Sequence, residues 1–421
     1  MPNVSIVVGA QWGDEGKGKW VDIFARQSDL VVRFQGGNNA GHTLFIDGKK
    51  IVLHQIPSGI FHKNTKAALA AGVVVNPVQL VEELEGVQKT ADLSPERLWL
   101  SARAQVITPW HIHLDSKKEA GSDAPIGTTK RGIGPTYAEK ASRTGIRLGH
   151  YVNAGRRRDW IQTMEKHNSE FAEHIKSHAA EWELFHNAAE KIGPYVTDAE
   201  GQIRKAIAAG QRVLMEGAQG ALLDIDHGTF PFVTSSSTMA GGALASIGFS
   251  AKKVSNVYGI AKAYVTRVGE GPFPSELFDE DGEKLAKEGH EFGATTGRPR
   301  RCGWLDAVAL KYSYHANGCD GLILNKMDIL DHFDEIKICV AYEHPEQGTL
   351  TEFPWDPYTA AECKPVYETL KGWKSTLPKR GHFSDLAPNA LQYVKRVEEL
   401  IDGHVVMIGT GVNRENAIFK S

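Results

Sequence analysis

Cysteine is scarce in this chain. There are four in 421 residues, Cys302, Cys319, Cys339 and Cys363, and none lies in a Cys-x-x-Cys pair. That spacing excludes a zinc knuckle or a disulfide framework and fits free thiols in a reducing cytoplasm. No apolar run approaches the roughly 20 residues of a membrane span, and no basic-then-apolar leader precedes the first strand. A cytoplasmic location and no membrane partner are therefore expected. Charge imbalance is also lacking: the net charge is −3, so nothing global draws the chain to nucleic acid, and any basic site must be local. Internal repeats, low-complexity tracts and Gly- or Pro-rich linkers are absent. What remains is 41% apolar and 24% charged residues, the composition of a globular chain with a large core.

One stretch organises the rest. An apolar strand, Val4-Ser5-Ile6-Val7-Val8, runs into Gly9-Ala10-Gln11-Trp12-Gly13-Asp14-Glu15-Gly16-Lys17-Gly18-Lys19, and a helix is expected from Lys17 through Ala25. Strand, glycine-rich turn, helix is the arrangement that aims backbone N–H groups and a helix dipole at phosphate. Gly13 to Lys19 fits the Gly-x-x-x-x-Gly-Lys spacing of a phosphate loop, but Trp20 follows where Ser or Thr would hold magnesium. Another group must supply that contact. Asp14 and Glu15 add negative charge that a pure phosphate cradle would avoid, so at least one has a chemical task. An ordinary tight turn would not concentrate four glycines and two lysines here.

Further apolar segments at Leu30–Phe34, Lys50–His54, Ala67–Val75, Leu98–Ser101, Arg212–Glu216, Val254–Val268, Gly321–Asn325 and His404–Ile408 read as strands, and Pro77–Gln88 as a helix. Strands alternating with helices predict an α/β fold: a large, mainly parallel central sheet with helices on both faces and a P-loop-like site. Residues 1–421 read as a single domain with a charged helical segment inserted near 150–210. In such sheets ligands sit beyond the carboxyl ends of strands. Those ends carry Gly13–Lys19, Gly36–Thr43, Gly217–Gly220, Asn325–Asp328 and Gly409–Gly411, which would converge on one long site.

Three constellations carry chemistry. Asn325-Lys326-Met327-Asp328 follows a strand, and one carboxylate there can accept from both guanine N1–H and N2–H2, as GTP-binding proteins arrange it. A charged turn would explain the four residues alone, but not their pairing with a phosphate loop. Asp14 and His42 each sit in a glycine-rich turn after a strand; adjacent strands would bring them together as general base and acid beside a phosphate. Gly293-Ala294-Thr295-Thr296-Gly297-Arg298-Pro299-Arg300-Arg301 joins arginines to hydroxyls, an anion site rather than a solvated loop. His111-Ile112-His113 and Asp224-Ile225-Asp226-His227 have metal-like letters but no further ligands; magnesium held with substrate phosphates is the better reading.

Over essentially its full length the chain resembles the adenylosuccinate synthetase family. The resemblance is carried by Gln11 to Lys19, Asn39-Ala40-Gly41-His42-Thr43, Gly127-Thr128-Thr129 with Arg131-Gly132-Ile133-Gly134-Pro135, Glu216-Gly217-Ala218-Gln219-Gly220, Gly293 to Arg301 and Lys326-Met327-Asp328. It implies GTP-dependent ligation of L-aspartate to IMP through 6-phosphoryl-IMP, giving adenylosuccinate, GDP and phosphate, the committed step from IMP toward AMP. It also implies roles. Asp14 takes the IMP N1 proton and contacts one Mg²⁺ per subunit, with the Gly41 backbone as second contact; His42 is the acid, and Lys17 and Gln219 assist. GTP contacts are implied for Gly13, Asp14, Glu15, Gly16, Lys17, Gly18, Lys19, Gly41, His42, Thr43, Arg300, Lys326, Met327, Asp328, Gly409, Thr410 and Gly411. IMP contacts are implied for Asp14, Glu15, Gly16, Lys17, Asn39, Ala40, Gly41, His42, Thr129, Gln219, Thr234 and Arg298, with Arg143 reaching the neighbouring subunit's IMP in a homodimer. Ala294, Thr295, Thr296, Gly297, Arg298, Pro299 and Arg300 would form the L-aspartate loop. Two residues depart from the family pattern: Gly409 stands where serine is often found, and Pro299 interrupts an arginine run.

Two other readings compete. A phage-type relative would ligate a guanine nucleotide, but such relatives lack the aspartate at the base position that this chain keeps as Asp14. A GTP-binding switch would have Ser or Thr after Lys19 and a compact domain, not Trp20 and 421 residues.

Overall fold

The computed structural model describes residues 1–46, 49–121, 126–292, 297 and 299–420. Its frame is an eleven-stranded sheet. In chain order the strands are β1 (Val4–Gly9), β2 (Leu30–Arg33), β3 (Lys66–Leu69), β4 (Leu98–Ser101), β5 (Val196–Thr197), β6 (Val213–Glu216), β7 (Val254–Lys262), β8 (Gly321–Asn325), β9 (Arg380–His382), β10 (Val405–Gly409) and β11 (Ala417–Phe419). Across the sheet they run β9-β11-β10-β8-β7-β1-β6-β2-β3-β4-β5. Among the described residues every pairing is parallel except β10 with β11.

The central strands are continuous apolar runs because both faces of the sheet are covered. Val4, Ile6 and Val8 pack on one side with Ile203, Ile207, Ala243 and Ile247 of the helices Ala199–Ala208 and Ala240–Ile247. Val7 faces the other side, where helix α1 (Lys17–Ala25) brings Trp20, Val21 and Ala25 against Val31, Leu214, Ile260 and Ile323. Helix α1 spans the expected residues. Trp20, standing where a phosphate loop would have its metal-binding hydroxyl, is fully buried and serves the core.

The expectation that β1 and β2 are adjacent is corrected. β6 lies between them, with Val4 and Leu30 both in register with Val213. Nothing in the local sequence of β1 or β2 records which strand a later segment will insert between them. The consequence is chemical, because β6 ends in Glu216 and leads to Gln219. A second correction concerns Lys50–His54: the strand there, Lys49–Leu53, pairs antiparallel with His42–Ile46 in a hairpin outside the main sheet.

The charged stretch after residue 150 forms the helices Ala154–His167, Ser169–Ser177 and Ala179–Ile192. Phe171, Trp182, Phe185 and Ile192 pack with Leu80 and Leu84 of the helix Pro77–Val87, beyond the β5 edge. A smaller mixed sheet contains Tyr264–Arg267, Arg301–Asp306, Glu335–His344, Gly348–Leu350 and Lys364–Lys371.

Replacing Trp20 with Ala removes a fully buried indole from beneath β1. The expected cost is about 3–5 kcal/mol of stability, read as a fall in the urea midpoint.

Candidate active site

The carboxyl ends of the parallel strands open into one cavity of about 1770 Å³. That exceeds the ~300–1,000 Å³ of a typical single-ligand pocket. All five expected strand-end loops reach it, through Gly13, Asp14, Gly16, Lys17, Gly18 and Lys19; Asn39 to Thr43; Gln219; Asn325, Lys326 and Asp328; and Thr410 with Gly411. Thr129, Thr234 and Arg300 line it as well.

In the phosphate loop the chain turns through positive φ at Gly13, Asp14 and Gly16. Gly16 caps α1 without any side-chain hydrogen bond, so the N–H groups of the first turn are left to a ligand. Glu15 turns inward and is fully buried. Its carboxylate accepts from the N–H groups of Gln11 (3.2 Å) and Gly13 (2.9 Å) and pairs with Lys17 at 2.5 Å. Lys19 donates to the carbonyls of Gly411 (2.9 Å) and Asn416 (2.6 Å), tying the final loop to the phosphate loop. Burial lowers the Lys19 ammonium to about 8.

His42 lies over the end of β6. Its Nδ1 donates to the Glu216 carboxylate, which also accepts from Ser58 Oγ (2.7 Å) and Ser58 N (2.9 Å). Burial pushes the imidazole down, and the Glu216 charge opposes that only in part. Glu216, despite its own burial, is held below the usual carboxylate range by His42 and Arg33. The hydrogen bond fixes the tautomer and leaves Nε2 as the free ring nitrogen.

Asp14 projects into the cavity with its side chain 31% exposed, and Arg300 Nε donates to it at 2.8 Å. Arg300 also donates to Glu291 at 2.5 Å. Glu291 is buried and further accepts from Lys262 (2.9 Å), Lys326 (2.6 Å) and the Tyr264 hydroxyl. Burial alone would raise Glu291; Lys262, Lys326 and Arg300 together hold it well below its ordinary value. Neither Glu216 nor Glu291 was singled out as a binding or catalytic residue from the sequence. Glu216 had a signal, as the last residue of a strand leading into a glycine turn; Glu291 had none.

The remaining expected residues fall into groups. Asp328 Oδ1 and Gln219 Oε1 are buried with no hydrogen-bond partner among the described residues, and both residues line the cavity. The Met327 side chain is in the core, and Gly409 lies behind Asn325, so only their backbones are near the site. Arg143 caps the helix Ile133–Ser142 at φ 66°, exposed and outside the cavity of its own chain. Gly297 and Pro299 are described, but Ala294, Thr295, Thr296 and Arg298 lie outside the described residues. Arg301 turns away to Glu276 at 2.5 Å.

For a cation, Asp14 and Gly41 both line the cavity, and a carboxylate with a backbone carbonyl would be hard oxygen donors of the kind that suit Mg²⁺ completed by phosphate oxygens. The discounted histidine stretch behaves differently. His111 caps a helix, its Nδ1 accepting from Thr108 N at 3.0 Å. His113 joins His174 and His178 in a cluster of ring nitrogens within 4.8 Å. The His174 and His178 rings are stacked at 14°, so their in-plane lone pairs do not converge, and Trp182 already donates to His174 Nδ1 at 3.2 Å. Burial and the two neighbouring imidazoles lower His174 to about 4. Asp224 accepts from the N–H groups of Asp226, His227 and Thr238, which makes it a turn-forming residue.

Residues 6–418 match the family model described as adenylosuccinate synthetase. The chain is 46% identical to the adenylosuccinate synthetase of Desulforapulum autotrophicum, covering 99% of this chain and 98% of that one. It is 45% identical to that of Clostridioides difficile, with 98% of each covered. Among solved structures, the fully ligated adenylosuccinate synthetase of Plasmodium falciparum superimposes with TM-score 0.93 at 40% identity, over 100% of both chains. The succinoaminodeoxyadenylate synthetase of cyanophage S-2L, bound to dGMP and dATP, shares the fold at TM-score 0.64 and 19% identity, covering 100% of this chain and 95% of that one.

In E216Q the His42 ring loses the charge that partly offsets its burial. Its imidazole titration, followed by NMR, is expected to move to lower pH than in the wild-type chain.

Proposed function

The chain belongs to the adenylosuccinate synthetase family, whose enzymes ligate L-aspartate to IMP at the expense of GTP, and from that premise we propose how its own residues carry out the reaction. One observation supports the assignment most: Asp14 and His42 face the same cavity that holds the orphaned Asp328 carboxylate oxygen at Lys326–Asp328. GTP binds with its guanine N1–H and N2–H2 on Asp328, against the Lys326 stem, and its phosphates over the first turn of α1. IMP lies toward Asn39, Thr129, Gln219 and Thr234.

Asp14 accepts the N1 proton of IMP, which places negative charge on O6. O6 attacks the γ-phosphorus of GTP, giving 6-phosphoryl-IMP and GDP. His42, oriented by Glu216, donates from Nε2 to the phosphoryl oxygens once the substrates' negative charge has protonated the ring. The amine of L-aspartate then displaces phosphate at C6. Arg300, which pairs with Asp14 here, is drawn to the carboxylate of incoming L-aspartate, and this leaves Asp14 free to act as base. Mg²⁺, held by Asp14 and the Gly41 carbonyl, supplies charge neutralisation for the phosphates when bound. Lys17, the first residue of α1, lines the cavity and pairs with Glu15, and from there it assists at the transferred phosphoryl group.

The single-domain reading of residues 1–421 and the cytoplasmic location are part of the proposal; no helix among the described residues is long and apolar enough to cross a membrane. So is a homodimer, supported by Arg143, an exposed arginine that its own cavity does not use.

Phosphate release from GTP is expected only when IMP and L-aspartate are both present, with adenylosuccinate absorbance appearing in step. Release that ignores both overturns the assignment, and turnover of dGMP in place of IMP favours the phage-type reaction. Asp14→Asn is expected to lower kcat by about 10²–10⁴-fold, the usual contribution of a positioned base.

A further inference from the structure

Asn325 ends β8 between the two loops assigned to the triphosphate and guanine ends of the nucleotide, and it is 4% exposed. Its Nδ2 donates to the Glu15 carbonyl at 2.8 Å. Both neighbours of the amide are glycines. A Cβ on Gly16 would stand 2.4 Å from Nδ2, and Gly16 needs its φ of 84° in any case. A Cβ on Gly409 would stand 2.0 Å from Oδ1 and 3.1 Å from Cγ of the same amide. Real carbon–oxygen contacts do not approach so closely, so the amide or the final loop must shift. Swinging it away from residue 409 drives it into Gly16 or breaks the bond to Glu15. Oδ1 itself has no hydrogen-bond partner, so the wedge is anchored from the phosphate-loop side alone.

We propose that Asn325 is a positioning residue for the phosphate loop, and that glycine at 409 is the condition for it. The amide sets the spacing between the final loop and Glu15-Gly16, so bulk introduced at 409 is transmitted to the backbone that receives the GTP phosphates. The inference rests on the assignment of these loops to GTP. It predicts a coupling between residues 325 and 409 that neither position shows by itself. The Lys19 ammonium, 3.3 Å from the same Cβ position, is the end of a flexible stem and can yield.

The test uses the full chain with three variants: G409A, N325A and N325A/G409A. Steady-state constants are read for GTP and for IMP, together with the melting temperature. G409A is expected to raise the KM for GTP about tenfold, the scale of an overpacked contact, and to leave the KM for IMP within about twofold. N325A is expected to raise the KM for GTP less, about threefold, through loss of the Glu15 bond. The double variant should match N325A, because without the amide the alanine methyl meets nothing it must displace. If G409A does not fold, recovery of a folded double variant with N325A-like constants supports the proposal equally. A G409A enzyme with wild-type constants, or defects that multiply in the double variant, overturns it. Failure of the wild-type enzyme to require GTP overturns the assignment of the loops instead, and is read separately.

Discussion

A carboxylate with no access to water sits at the centre of the sheet's working edge. Glu15 is fully buried, and such a charge persists only if every oxygen is matched. The backbone N–H groups of Gln11 and Gly13 and the Lys17 ammonium provide the match. The glycine pattern follows from this. A Cβ on Gly9 would stand 2.5 Å from one Glu15 oxygen, and one on Gly220 2.6 Å from the other, so β1 and the loop after β6 can close around the carboxylate only without side chains there. Two of the loop's N–H groups are therefore consumed internally. The first turn of α1 is capped by Gly16 without a side-chain hydrogen bond, so the acidic residue takes up loop N–H groups other than those of the helix start.

Two more buried carboxylates extend the scheme outward. Glu216 fixes the His42 ring, and Glu291 gathers Lys262, Lys326 and Arg300. Arg300 bridges Glu291 to Asp14, so Lys326 of the Asn325–Asp328 loop and Asp14 of the first loop share one ionic network. Each carboxylate offsets its burial with cations or imidazole rather than with solvent. These pairs hold the side chains of the site in fixed arrangements with one another.

The sheet and its loops were legible in the sequence because central parallel strands are written as continuous apolar runs, and because glycine marks the turns between strand and ligand. Lys17–Ala25 and Gly321–Asn325 fall where the pattern put them. Strand order was not legible. Placing β6 between β1 and β2 is decided by packing between segments far apart in the chain, and the local residues carry no trace of it. Glu291 was invisible for a similar reason: an isolated glutamate gains its meaning only from Lys262, Arg300 and Lys326, which the fold delivers from three other places. Trp20 shows the opposite case. The sequence flagged its departure from the phosphate-loop pattern, and the structure turns that residue into core.

The parallel sheet also has a consequence for synthesis. The phosphate loop follows the first strand, yet the groups opposite it arrive with β8 and β10, which the ribosome makes last among the strands that line the cavity. A nascent chain therefore carries the glycine-rich first loop for most of its translation without the loops that face it across the cavity. Until that late segment emerges, the Lys19 ammonium lacks the Gly411 and Asn416 carbonyls to which it donates in the finished fold.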